Sequence, residues 1–109
     1  MDDDSPSTTG MNIQGDRTLQ ETRTALSVAD VLAAAKTFFA RRNSLYAAFL
    51  EKEGPTFVSL RGQGGEEVLI GASAPADGTD TRVTGSTYLF DQQVARFFST
   101  LPPAAEAQT

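Results

Sequence analysis

The chain has 109 residues, nine of them basic and 14 acidic, a net charge of −5, and neither cysteine nor histidine. Without cysteine there is no disulfide framework and no thiolate metal site, and without histidine the commonest general base and metal ligand is missing. No run of about 18 apolar residues exists, and the Met1-Asp2-Asp3-Asp4 start lacks the basic and apolar stretches of a signal peptide, so a cytoplasmic protein without membrane insertion is expected.

Residues 1–16 are polar and rich in Asp, Ser, Thr and Gly. They cannot bury enough apolar surface to offset their ordering entropy, which predicts a disordered leader. From Arg17 to Ala25 the chain is rich in threonine, has no Gly or Pro and shows no clear apolar face, as an edge strand does. Ser27 and Asp30 then have the spacing of a capping box. Val28, Val31, Leu32, Ala35, Phe38 and Phe39 follow on one helical face.

The same period could run on through Leu45, Tyr46, Phe49 and Leu50. Arg41 and Arg42 suit the negative end of a helix dipole, and Asn43 tolerates the left-handed conformation that often follows a helix. The expectation is a helix stopping near Arg42 and a strand over Ser44–Glu53. Gly54-Pro55 turns it into a second strand over Thr56–Arg61. The Gly62-Gln63-Gly64-Gly65 run reverses the chain again, into Glu66–Ala74. Pro75 and Asp77-Gly78 mark a turn before Thr81–Leu89, where Gly85 signals a bulge or a close backbone approach. Asp91 is placed to cap a last helix with Val94, Phe97, Phe98 and Leu101 on one face, stopped by Pro102-Pro103. Residues 102–109 are expected to be a disordered tail. The result is one α+β domain over residues 17–101: an antiparallel β-meander packed against an N-terminal and a C-terminal helix, in the order β-α-β-β-β-β-α.

Nine acidic and nine basic residues fall between Arg17 and Leu101, so this body is formally neutral. The basic residues are scattered apart from Arg41-Arg42, and without a basic stripe no nucleic-acid partner is expected. The glycine run is followed by a strand and by Glu66-Glu67, which would repel a phosphate, so it is a hairpin turn and not an anion cradle. Glu51 and Glu53 should share one strand face and Glu66 and Glu67 sit at a strand end, positions that are normally solvated. A Ser-Lys pair with Lys36 or Lys52 is formally possible, but nothing in the spacing favours it.

The element order, together with the segment Gly78-Thr79-Asp80-Thr81-Arg82-Val83-Thr84 before the last helix, resembles a shortened START or polyketide-cyclase-like (helix-grip, SRPBCC) domain. In that family a curved antiparallel sheet wraps a long C-terminal helix, and the space between them holds a hydrophobic molecule. The resemblance implies an apolar ligand such as a lipid, pigment or polyketide. Here a small sheet and two short helices leave little depth for a site of about 300 Å³. Tyr46, Arg61, Arg82 and Tyr88 are the candidate polar handles at the rim of such a pocket. Phe38-Phe39 and Phe97-Phe98 offer more aromatic surface than one small core covers, which makes Phe39 and Phe98 the candidates for an oligomer interface.

A neutral body of about 85 residues with a marginal core and spare apolar surface points first to a non-enzymatic assembly subunit. It would self-associate, as a homodimer or larger, through its exposed sheet or its phenylalanine-bearing helices. The alternative is a binding module for a small hydrophobic molecule. A cyclase-type enzyme, in which Tyr, Arg and carboxylate groups orient an enol, is a more distant third. No cofactor and no metal is implied.

Overall fold

The computed structural model describes residues 18–42, 45–75 and 80–104. The expected leader, Arg17, Asn43, Ser44, the Asp77-Gly78 turn and residues 105–109 lie outside them. Period-two and period-3.6 patterns settle into β1 (Thr18–Thr24), α1 (Val28–Ala40), β2 (Ala48–Gly54), β3 (Phe57–Gly62), β4 (Glu67–Ser73), β5 (Thr81–Thr87) and α2 (Asp91–Ser99). This is the expected α+β order. The five strands form one antiparallel sheet in the order β1-β5-β4-β3-β2, so β4 is the central strand and β1 and β2 are its edges.

The boundary between α1 and β2 is where the apolar period was ambiguous. The Ser27 hydroxyl accepts the Asp30 N–H at 3.1 Å and starts α1. Its last turn closes on the Arg41 N–H, which donates to the Thr37 and Phe38 carbonyls. The helix therefore ends at Ala40, slightly before Arg42, and β2 begins at Ala48, with Leu45 and Tyr46 in a turn. At the second helix the expected cap is corrected: Asp91 is the first helical residue, and Phe90 occupies the cap position without a side-chain acceptor. Phe90 is 5% exposed, so its burial in the core fixes how the chain enters α2.

Alternation along the strands turns one set of side chains toward the helices. Val58, Leu60, Val68, Ile70 and Val83 from the sheet meet Val31, Ala35, Phe39, Val94 and Phe97 from the helices, all without exposed surface. Each such side chain contributes roughly 1.5–3 kcal/mol by leaving water, against the entropy of ordering it. α1 covers β2, β3 and β4, while α2 covers β5 and β1. At Gly85 the close approach is real: an added Cβ would lie 2.5 Å from Val94 Cγ1 and 3.3 Å from Phe98 Cζ. The register of β5 runs through Gly85 without a bulge. The β3–β4 reversal needs Gly65, whose φ is +89°.

The aromatic surplus is largely consumed inside the chain. Phe39 and Phe97 are fully buried with ring centroids 5.8 Å apart, and Phe38 packs on both, at 5.1 and 5.5 Å. The Arg42 guanidinium lies 4.6 Å from the Phe38 ring centre. Phe39 has no exposed surface, which removes it from any surface contact. Phe98 is half-buried against the same cluster. Packing also runs past Leu101: Pro103 bridges to Thr24 and Ala104 is buried, so the body extends to Ala104 and takes in the first residues of the expected tail. Among the described residues no helix is long and apolar enough to cross a membrane.

Candidate functional site

Both helices lie on one side of the sheet, and among the described residues nothing packs on the other. Strand alternation places Leu69, Gly71 and Ser73 of β4 on this open face, between Thr84 and Ser86 of β5 and Phe57 and Ser59 of β3. Leu69 stands at its centre, 38% exposed, with Leu19 and Phe49 more exposed toward the edges. Three apolar residues in a row, Val68-Leu69-Ile70, cannot all face one core in a strand. That period-two constraint was the signal for Leu69 in the sequence.

Each flank of the face carries a bidentate ion pair. Arg82 on β5 donates to Glu21 on β1 at 2.7 and 2.9 Å. Arg61 on β3 donates to Glu51 on β2, with both contacts at 3.0 Å, and to the Gly65 carbonyl at 2.8 Å. The guanidinium hydrogen bonds hold the Glu21 and Glu51 carboxyls below their ordinary value of 4.5 and raise both arginines. These pairs are solvent-exposed and contribute little to stability. Their effect is to neutralise the face and position its long side chains.

A shift of register between Leu50 and Lys52 separates the carboxylates expected to share a face. Glu51 stays on the open face with Arg61, whereas Glu53 turns to the helix side and accepts from Lys36 at 2.9 Å. The extra residue of a bulge reverses the alternation beyond it.

The four candidate rim residues do not converge on one pocket. Arg61 pairs in register with Glu67 and Arg82 with Ser73. Six residues separate those positions along β4, roughly 20 Å at a strand's rise. Tyr46 lies on the helix side, its ring edge-on to Phe90 at 5.9 Å. Tyr88 follows the end of β5 and is 42% exposed.

Two surface depressions lie among the described residues. One, of about 200 Å³, lies where β5 hands over to α2, lined by Tyr46, Leu89, Phe90, Asp91, Gln92 and Gln93. The other, of about 260 Å³, is on the open face, where Gly71 presents no side chain and Thr56, Ser73, Arg82 and Thr84 form the rim. Among the described residues no cluster of three carboxylates could hold a metal ion. Comparison with known protein families, with curated proteins and with solved structures finds no match.

Proposed function

We propose that the chain is a non-enzymatic assembly subunit that self-associates through the open face of its sheet. The observation that carries this reading is the position of Leu69, a large apolar side chain in the middle of the central strand, exposed on a face flanked by the Glu21–Arg82 and Glu51–Arg61 ion pairs. Exposed apolar area rimmed by polar groups marks interaction sites. The near-neutral body adds little repulsion between copies. The sheet, rather than the phenylalanine-bearing helices, is favoured because Phe38, Phe39, Phe97 and Phe98 pack against one another within a single chain.

Sedimentation at micromolar concentration is expected to give at least twice the monomer mass, and Leu69→Lys is expected to reduce it to that of a monomer with an unchanged circular dichroism spectrum. A wild-type chain that stays monomeric over that range overturns the reading.

The depression beside Tyr46 favours a second reading, a small-molecule site. The volume a helix-grip domain would use for its ligand is filled here by Phe39, Phe97 and the sheet valines. Asp91, Gln92 and Gln93 give the remaining depression a polar wall, which suits a lipid poorly. Mass spectrometry of solvent extracts from purified protein separates the readings, since a stoichiometric apolar molecule would favour the ligand module.

A further inference from the structure

The assembly reading leaves open how two identical sheets would meet, and β4 supplies both halves of an answer. Leu69 projects from the open face, and Gly71, two residues along the same strand on the same face, forms the floor of the 260 Å³ hollow. They are about 7 Å apart at a strand's rise. A projection and a hollow so related are self-complementary under a single two-fold axis. That axis lies in the plane of the interface, runs perpendicular to β4 and passes at the level of Ile70.

We infer that two copies pack face to face about this axis, each seating its Leu69 in the Gly71 hollow of the other. The inference rests on the self-association reading and adds its geometry. Such an interface is isologous and closes as a dimer. Because the axis runs across the strands, each strand of one copy lies antiparallel over the same strand of the other, so one sheet covers the other within the range of aligned sheet packing. The neighbouring strand fits the same operation: Leu69 pairs with Ser86 and Gly71 with Thr84, so Ser86 of one copy comes to face Thr84 of the other, both small enough for the sheets to approach. Charge permits it as well, since Glu21–Arg82 and Glu51–Arg61 are paired within each copy and the face carries both signs.

Charge complementation between variants tests the geometry. Leu69→Lys alone should be monomeric, and Gly71→Asp alone should associate weakly. A one-to-one mixture should form a heterodimer, because the introduced ammonium then enters the hollow beside the introduced carboxylate while the second Leu69–Gly71 contact remains native. The mixture is expected to bind at least about tenfold more tightly than either variant alone, the scale of a close interfacial charge pair. A Cβ at position 71 would lie 2.9 Å from Thr84 Oγ1, so Thr84→Asp on the rim replaces Gly71→Asp if that variant folds poorly. Rescue of Leu69→Lys by Leu69→Asp, but by neither Gly71→Asp nor Thr84→Asp, would mean that Leu69 meets its own copy; it would overturn the geometry and leave the assembly reading intact. A monomeric wild type removes the assembly reading itself, and this inference with it.

Discussion

The Thr24 hydroxyl donates to the Pro102 carbonyl at 2.6 Å, joining the end of the first strand to the exit of the last helix. The same oxygen accepts the Leu26 N–H at 3.3 Å, and Thr81, opposite Thr24 in the sheet, donates to the Leu26 carbonyl at 2.6 Å. Thr24 is fully buried, and both of its bonds are partly shielded from water.

Thr24→Val keeps the shape and removes the hydroxyl, leaving the Pro102 carbonyl and the Leu26 N–H short of a partner. A loss of about 1–3 kcal/mol is expected in urea unfolding with an unchanged m-value. Truncation after Leu101 should also destabilise, because it removes that carbonyl and the buried Ala104. If truncation there leaves the midpoint where it was, the chain after Leu101 has no structural role.

Gly85→Ala tests the approach of α2 to the sheet. Val94 is fully buried and cannot retreat into solvent, so the new methyl must push helix from strand. Overpacking of this kind costs roughly 1–3 kcal/mol. Thermal unfolding should show a drop of several degrees, whereas a neutral effect would mean that α2 sits more loosely than the distances imply.

Arg23 donates to Asp80 Oδ1 at 2.9 Å, and the Asp80 side chain has no exposed surface. Its Oδ2 is buried without a hydrogen-bond partner among the described residues. Removing the guanidinium strands a buried charge, whereas an amide at position 80 keeps an acceptor and loses the charge. Arg23→Met is therefore expected to destabilise by about 1–3 kcal/mol and Asp80→Asn by less. Denaturation midpoints of the two variants check the order, and the reverse order would contradict it.

Glu21 and Glu51 titrate below 4.5 because each accepts two guanidinium hydrogen bonds. A carboxyl whose folded value is depressed adds stability above its unfolded value and loses it as the pH falls through the folded one. The contribution is thus present at neutral pH and lost below about pH 4.5. Carbon-detected NMR titration should place both carboxyls below 4.5. The Glu21→Gln, Glu51→Gln double variant should lose less stability on acidification than the wild type, with ordinary titration of both carboxyls as the contrary result.

Much of this fold is legible in the sequence itself. Val31, Leu32, Ala35 and Phe39 recur at helical spacing, and glycine runs or Pro-containing turns separate the strands, so the seven elements and their order follow from patterns only a few residues long. Local chemistry decides local structure, which is why Ser27 caps α1 and Gly65 turns β3 into β4 as expected. The exposure of Leu69 was implicit in the same alternation.

Long-range placement is what the tertiary structure alone decided. Either phenylalanine of each pair satisfied the helical period, and only the packing of two helices on one sheet buries Phe39 and Phe97 and leaves Phe38 and Phe98 half-covered. Arg61 and Arg82 were equivalent strand arginines in the sequence, and the register of β3, β4 and β5 sets them at opposite ends of the open face. One extra residue at Glu51 parted Glu51 from Glu53, and the core position of Phe90 took the cap site from Asp91. The physical reason is common to all of these. Periodicity states which side of an element is apolar, but register, bulges and the choice of covering helix arise from contacts between residues distant in the chain, whose free energies no short stretch of sequence contains.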